Sequence, residues 1–98
     1  MIITFDYKEG VGQIYILENF ISFTDIHNGK LMMDLNMLKA KIRRASKFRS
    51  GGIPGKKITN EPEEEILKFL NSQKNTYEIC NIEVERKNGD NFEIEVYR

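Results

Sequence analysis

The chain reads as a small α+β domain, an antiparallel sheet with two helices packed on one face, in the order ββββααββ. Three features predict this. Alternating apolar and polar residues occupy both ends of the chain, apolar residues at helical spacing fill the middle, and Asn-Gly pairs stand at 28–29 and 88–89. Its 98 residues are expected to form a single domain, 1–98, because a chain of this size buries one core.

Ile2 to Tyr7 alternates as a first strand. Gly10-Val11-Gly12 is read as a break, and Gln13 to Leu17 as a second strand. Glu18-Asn19 makes a tight turn into a third strand, Phe20 to Ile26, in which Phe20, Ser22 and Thr24 oppose Ile21, Phe23 and Asp25. Asn28-Gly29 is read as a type I′ hairpin turn, since both residues tolerate positive φ, leading into a short fourth strand, Lys30 to Met33.

Asp34 is read as the N-cap of a first helix, its carboxylate accepting free amide hydrogens. Leu35, Leu38, Ile42 and Ala45 follow at spacings of 3, 4 and 3, one apolar stripe that predicts a helix from Leu35 to Phe48. Lys39, Lys41, Arg43, Arg44 and Lys47 occupy the rest of its circumference. Arg49 to Lys57 holds three glycines and a proline and is read as an irregular, mobile loop. A second helix is expected from Asn60. Asn60 and Glu63 suit a capping box, Pro62 the first turn, and Glu61, Glu63, Glu64 and Glu65 the positive end of the helix dipole. Ile66, Leu67, Phe69 and Leu70 supply its buried side, and it ends between Asn71 and Lys74. The last quarter reads as a hairpin. Tyr77 to Arg86 and Phe92 to Tyr97 are its arms, Asn88-Gly89 its turn, and a slip of alternation at Cys80 and Asn81 marks a bulge. The exposed face of this hairpin is expected to be acidic, with Phe92, Ile94 and Val96 opposite Glu93, Glu95 and Tyr97.

The net charge of zero conceals an uneven distribution. The 26 residues from Leu35 to Asn60 contain no acid but eight basic residues, leaving seven basic residues against all 15 acids elsewhere. Such a chain is dipolar, with a basic region on an acidic body. The lone Cys80 excludes an internal disulfide, and no apolar run approaches 18 residues, so the expected location is cytoplasmic, with no membrane partner.

Gly51 to Thr59 looks superficially like a phosphate loop. A true one needs GxxxxGK[ST] between a strand and a helix, whereas Lys57 replaces the hydroxyl and a helix precedes the loop. Gly12 to Ile16 with Asn28-Gly29-Lys30 and a basic helix resembles the front of the GIY-YIG nucleases, over about a third of the chain. Leu31-Met32-Met33 stands where the second half-motif would be, so no catalytic residue is carried over. His27 is the only histidine, with Asp25 as its nearest acid, and its place beside a turn needs no catalytic reason. Cys80 is expected to be a buried small hydrophobe, and one Cys with one His makes no zinc site. Met32, Met33 and Met37 are read as core filling.

No nucleophile, base and metal set is present, so a non-enzymatic binding protein without a cofactor is expected. The anion-binding residues assigned are Lys39, Lys41, Arg43, Arg44, Lys47, Arg49, Lys56 and Lys57, with Phe48 as a stacking platform and nucleic acid or a nucleotide as the partner. The absence of acids rules out i,i+4 salt bridges as the reason for this charge. The alternative is a protein-interaction module: an inhibitor, immunity-type or phage or mobile-element accessory protein. The scarcity of alanine, with two in the chain, accords with an AT-rich genome of that kind.

Overall fold

The computed structural model describes residues 1–17, 20–50 and 62–97, except for the side chains of 45–50 and 88. Strands β1 (Ile2–Tyr7), β2 (Gly10–Leu17) and β3 (Phe20–Thr24) precede helices α1 (Gly29–Ser50), α2 (Pro62–Ser72) and α3 (Lys74–Tyr77). Strands β4 (Cys80–Asn88) and β5 (Asn91–Tyr97) close the chain. The five strands form one antiparallel sheet in the order β3-β2-β1-β4-β5. The α+β class holds. The element order is corrected to βββαααββ, because the expected fourth strand is part of a helix.

Strand alternation sets the two faces of the sheet. Ile3, Phe5 and Tyr7 of β1, Ile14 of β2, Ile21 of β3 and Ile82 and Val84 of β4 are buried together with Leu31, Leu35, Ile42, Ile66 and Leu70 from the helices. The helices therefore cover one face, and no described element covers the other. At Phe5 both neighbouring strands adapt. Gly12 faces it from β2, and a Cβ there would lie 2.9 Å from Phe5 Cζ, so the expected break at Gly10-Val11-Gly12 is instead continuous strand beneath a large ring. On the other side, Thr4 pairs with Glu83 but Asp6 pairs with Cys80, so two β4 residues, Asn81 and Ile82, oppose Phe5 alone. This is the expected bulge, with Asn81 at φ 49°. The bulge explains why Ile79 and Ile82, three apart, are both buried. Cys80, expected to be buried, is exposed.

The Asn28-Gly29 pair is not a hairpin turn. Asn28 Oδ1 accepts the Leu31 amide at 3.0 Å and its carbonyl accepts the Met32 amide, so Asn28 is the N-cap of α1. The same residues suit both roles. The choice is settled by Leu31, which lies four residues before Leu35 and extends the stripe backwards. Lys30 to Met33 is consequently helix, and Asp34, taken as the cap, lies inside it. The preceding loop is pinned by Tyr7, whose hydroxyl donates to the Asp25 carbonyl and accepts from the His27 amide, both at 2.9 Å. At the far end Arg49 and Ser50 belong to α1 rather than to a loop, and 51–57 of the expected loop lie outside the described residues.

Pro62 opens α2, with Glu63, Glu64 and Glu65 in its first turn, as expected; Asn60 and Glu61 lie outside the described residues. Ile66 and Leu70 are buried, and Leu67 and Phe69 pack partly against the core. Tyr77, read as the start of a strand, instead ends α3. It is buried, and its hydroxyl donates to Asp34 Oδ2 at 2.7 Å, tying α3 to α1.

In the last hairpin, Asn88 pairs with Asn91, so Gly89 and Asp90 form a two-residue loop displaced by one from the expected turn. Gly89 has φ 65°, as the first central position of a II′ turn requires. The register opposes Ile82 to Tyr97 and Val84 to Glu95 on the helix side, and Glu83 to Val96, Glu85 to Ile94 and Lys87 to Phe92 on the open side. The open side is thus acidic along β4, as expected, but apolar along β5. Phe92, Ile94 and Val96 are 64%, 62% and 55% exposed, far from the core that their alternation suggested. Arg86 fastens this hairpin to the helices, reaching Glu63 of α2 and, at 2.7 Å, Glu95 of β5.

Leu35 is fully buried whereas Leu38 is only partly so. Leu35→Ala is expected to lower stability by about 2–5 kcal/mol in urea unfolding, and Leu38→Ala by less. Burial, followed by the hydrogen bond to Asp34 and the charge of Asp34, pushes the Tyr77 phenol from 10.0 up to about 12. A raised folded-state pKa contributes stability that is complete below pH 10 and lost as pH rises towards 12. Unfolding free energies measured across that window should fall more steeply for the parent protein than for Tyr77→Phe, and equal slopes would refute the assignment.

Candidate anion-binding face

Helix α1 buries Leu31, Leu35, Leu38 and Ile42, at spacings of 4, 3 and 4, against the sheet and α2. The opposite side faces solvent, where Met33, Met37, Lys41 and Arg44 follow one another at 4, 4 and 3. All four are exposed, Met33 at 60% and Met37 at 65%, so these methionines do not fill the core; only Met32 packs partly against it. Arg43 is exposed on the adjoining flank.

These cations differ in what surrounds them. Lys39 lies beside the buried stripe with its Nζ 5.8 Å from the centre of the Phe23 ring, a cation–π contact that holds it against the sheet. Among the described residues, Lys41, Arg43 and Arg44 have no ion pair. Among the described residues nothing neutralises their charge, which leaves it available to an incoming anion. Arg43 and Arg44 each present a planar fork of donors suited to two phosphate oxygens, whereas Lys41 adds a point charge. Lys47, Phe48 and Arg49 continue α1, but their side chains lie outside the described residues, as do Lys56 and Lys57 altogether. Of the eight assigned cations, the structure brings six onto one helix, Lys39, Lys41, Arg43, Arg44, Lys47 and Arg49, and describes the side chains of the first four.

A second basic feature was not legible in the charge pattern. Lys68, Asn71 and Lys74 line a cleft of about 330 Å³ with Leu67, Ile82 and Tyr97, between the α2–α3 segment and the end of the last hairpin. Both lysines lie outside the acid-free window, and the fold sets them beside Ile82 and Tyr97. The open sheet face carries the opposite charge. A concavity there is lined by Asp6, Glu83, Thr4, Asn81 and Val96, with Asn81 donating to Asp6 at 2.8 Å.

The groups weighed for catalysis stand apart. His27 and Cys80 are both exposed, on a loop and on β4 respectively. No cluster of three or more His, Cys, Asp or Glu that could hold a metal occurs among the described residues. No helix among them is long and apolar enough to cross a membrane. Compared with protein-family models, curated proteins and solved structures, the chain gives no significant match, so its function is read from its own geometry.

Proposed function

We propose that the protein binds a polyanion, a nucleic acid or nucleotide, through the solvent face of α1, by charge more than by sequence. One observation carries this reading: Lys41, Arg43 and Arg44 are exposed on a single helix without an ion-pair partner among the described residues. The acid-free stretch that continues to Asn60 adds cations in chain proximity to the same helix. The acids Asp6, Glu83 and Glu85 of the other sheet face lie on the far side of the sheet from α1. Binding neutralises phosphates and releases their counterions. No bond is made or broken, and no cofactor is needed.

Three cations on duplex phosphates should give a log–log salt slope of about −3, from roughly −0.9 per phosphate, with further cations steepening it. The triple variant Lys41→Glu, Arg43→Glu, Arg44→Glu should keep the fold, since none of the three is buried, and lose binding to DNA, RNA and nucleotides in titrations at low salt. Persistence of binding in that variant, or no binding by the parent protein at low salt, would overturn the proposal.

A further inference from the structure

The edge strand β5 combines two properties that arise separately. The first is its backbone. The two-residue loop Gly89-Asp90 is closed by Asn88 and Asn91, and such a closing pair is hydrogen-bonded. Opposed residues in an antiparallel ladder then alternate between bonded and non-bonded pairs. Glu93 and Glu95 therefore spend their amide and carbonyl groups on β4, while Phe92, Ile94 and Val96 point theirs outward. Among the described residues, no strand lies beyond β5 in the sheet. The second property is its side chains. The same three residues place exposed apolar groups on the open face, whereas Glu93 and Glu95 project on the helix side. A row of free backbone donors and acceptors thus coincides with a row of uncovered apolar side chains.

We infer that β5 is a docking edge for an extended segment of another protein in which apolar and basic residues alternate. Pairing with Phe92, Ile94 and Val96 would seat the incoming apolar residues beside that triad and extend the sheet by one strand. The intervening residues would fall opposite Glu93, which has no ion pair among the described residues, and Glu95, which also holds Arg86, so that Lys or Arg there meets a carboxylate across the strands. A second copy of this chain fits worse. Two β5 strands related by a two-fold axis through the sheet must keep their faces. Centring on Ile94 then opposes Glu93 to Glu95 twice, and the neighbouring registers oppose Glu95 to Glu95 or Glu93 to Glu93. Like charges directly opposed are unfavourable. This edge acts independently of anion binding by α1.

The probe is a synthetic capped peptide of alternating Val and Lys, with a Val–Glu peptide and a blocked, non-alternating peptide of the same Val and Lys composition as controls. In the free protein, the Phe92, Ile94 and Val96 amides should exchange with deuterium quickly and those of Glu93 and Glu95 slowly. The Val–Lys peptide should protect the first three, and neither control should. Ile94→Pro removes an amide that faces away from β4, so the fold should persist while docking is lost. Glu93→Lys, which leaves the backbone intact, should weaken the Val–Lys peptide by roughly tenfold and serves if the proline variant does not fold. The α1 triple variant should bind the peptide unchanged. Equal binding of the acidic peptide, protection mapping elsewhere, no binding at millimolar peptide, or a dimer in sedimentation with the three amides already protected would each overturn the inference.

Discussion

The side chain of Phe5 is the constraint around which the sheet is arranged. It is fully buried on the central strand, 5.7 Å from the Tyr7 ring, and both flanking strands give way to it. On one side there is a glycine where any Cβ would collide, and on the other a bulge that supplies an extra residue. The bulge turns the start of β4 so that Ile79 and Ile82 both enter the core, and it leaves Cys80 and Asn81 outside. Two residues further on, Tyr7 holds the loop that ends in the α1 cap. The first strand thereby sets the position of the helical layer as well as of its own neighbours.

Most elements could be read from local pattern, and the errors share a physical cause. The β1 strand, the β3 alternation, the acidic opening of α2 and the bulge all follow from short-range rules, and all are found. Asn28-Gly29 satisfies two such rules, a hairpin turn and a helix cap, and only the spacing from Leu31 to Leu35 separates them. The final hairpin went wrong for another reason. Each arm alternates correctly, but a two-residue loop opposes residues whose numbers sum to an odd value, 88 with 91 and 84 with 95. Ile82 and Val84 of β4 and Phe92, Ile94 and Val96 of β5 are all even-numbered, so the two sets cannot share a face. Turn length therefore overrode the hydrophobic pattern, and that conflict was present in the residue numbers. The basic helix was legible as a stripe and its complement; the Lys68–Lys74 cleft was not, because its residues come together only when α2 packs beside β4.

The charge asymmetry acquires a direction in the fold. Helix α1 carries Lys41, Arg43 and Arg44 into solvent, while Asp6, Glu83 and Glu85 lie on the other side of the sheet. Arg86 is the exception that serves cohesion. It stands between Glu63 and Glu95 and joins the helix layer to the edge strand. A chain with no net charge can thus present surfaces of opposite sign without placing them in contact.

The position of β1 in the sheet has a further consequence for how the chain is made. One of its edges is closed almost at once by β2, only two residues away. The other must wait for β4, which begins at Cys80. At ribosomal rates of about 5–20 residues per second, that interval is roughly 4–15 s. Throughout it the nascent meander of β1, β2 and β3 offers the free edge of its most apolar strand, and Phe5 lacks one of its two walls. The emerging helices can shelter the face of that strand but not its edge. The nascent chain is therefore most vulnerable to mispairing until β4 appears and closes the second edge of β1.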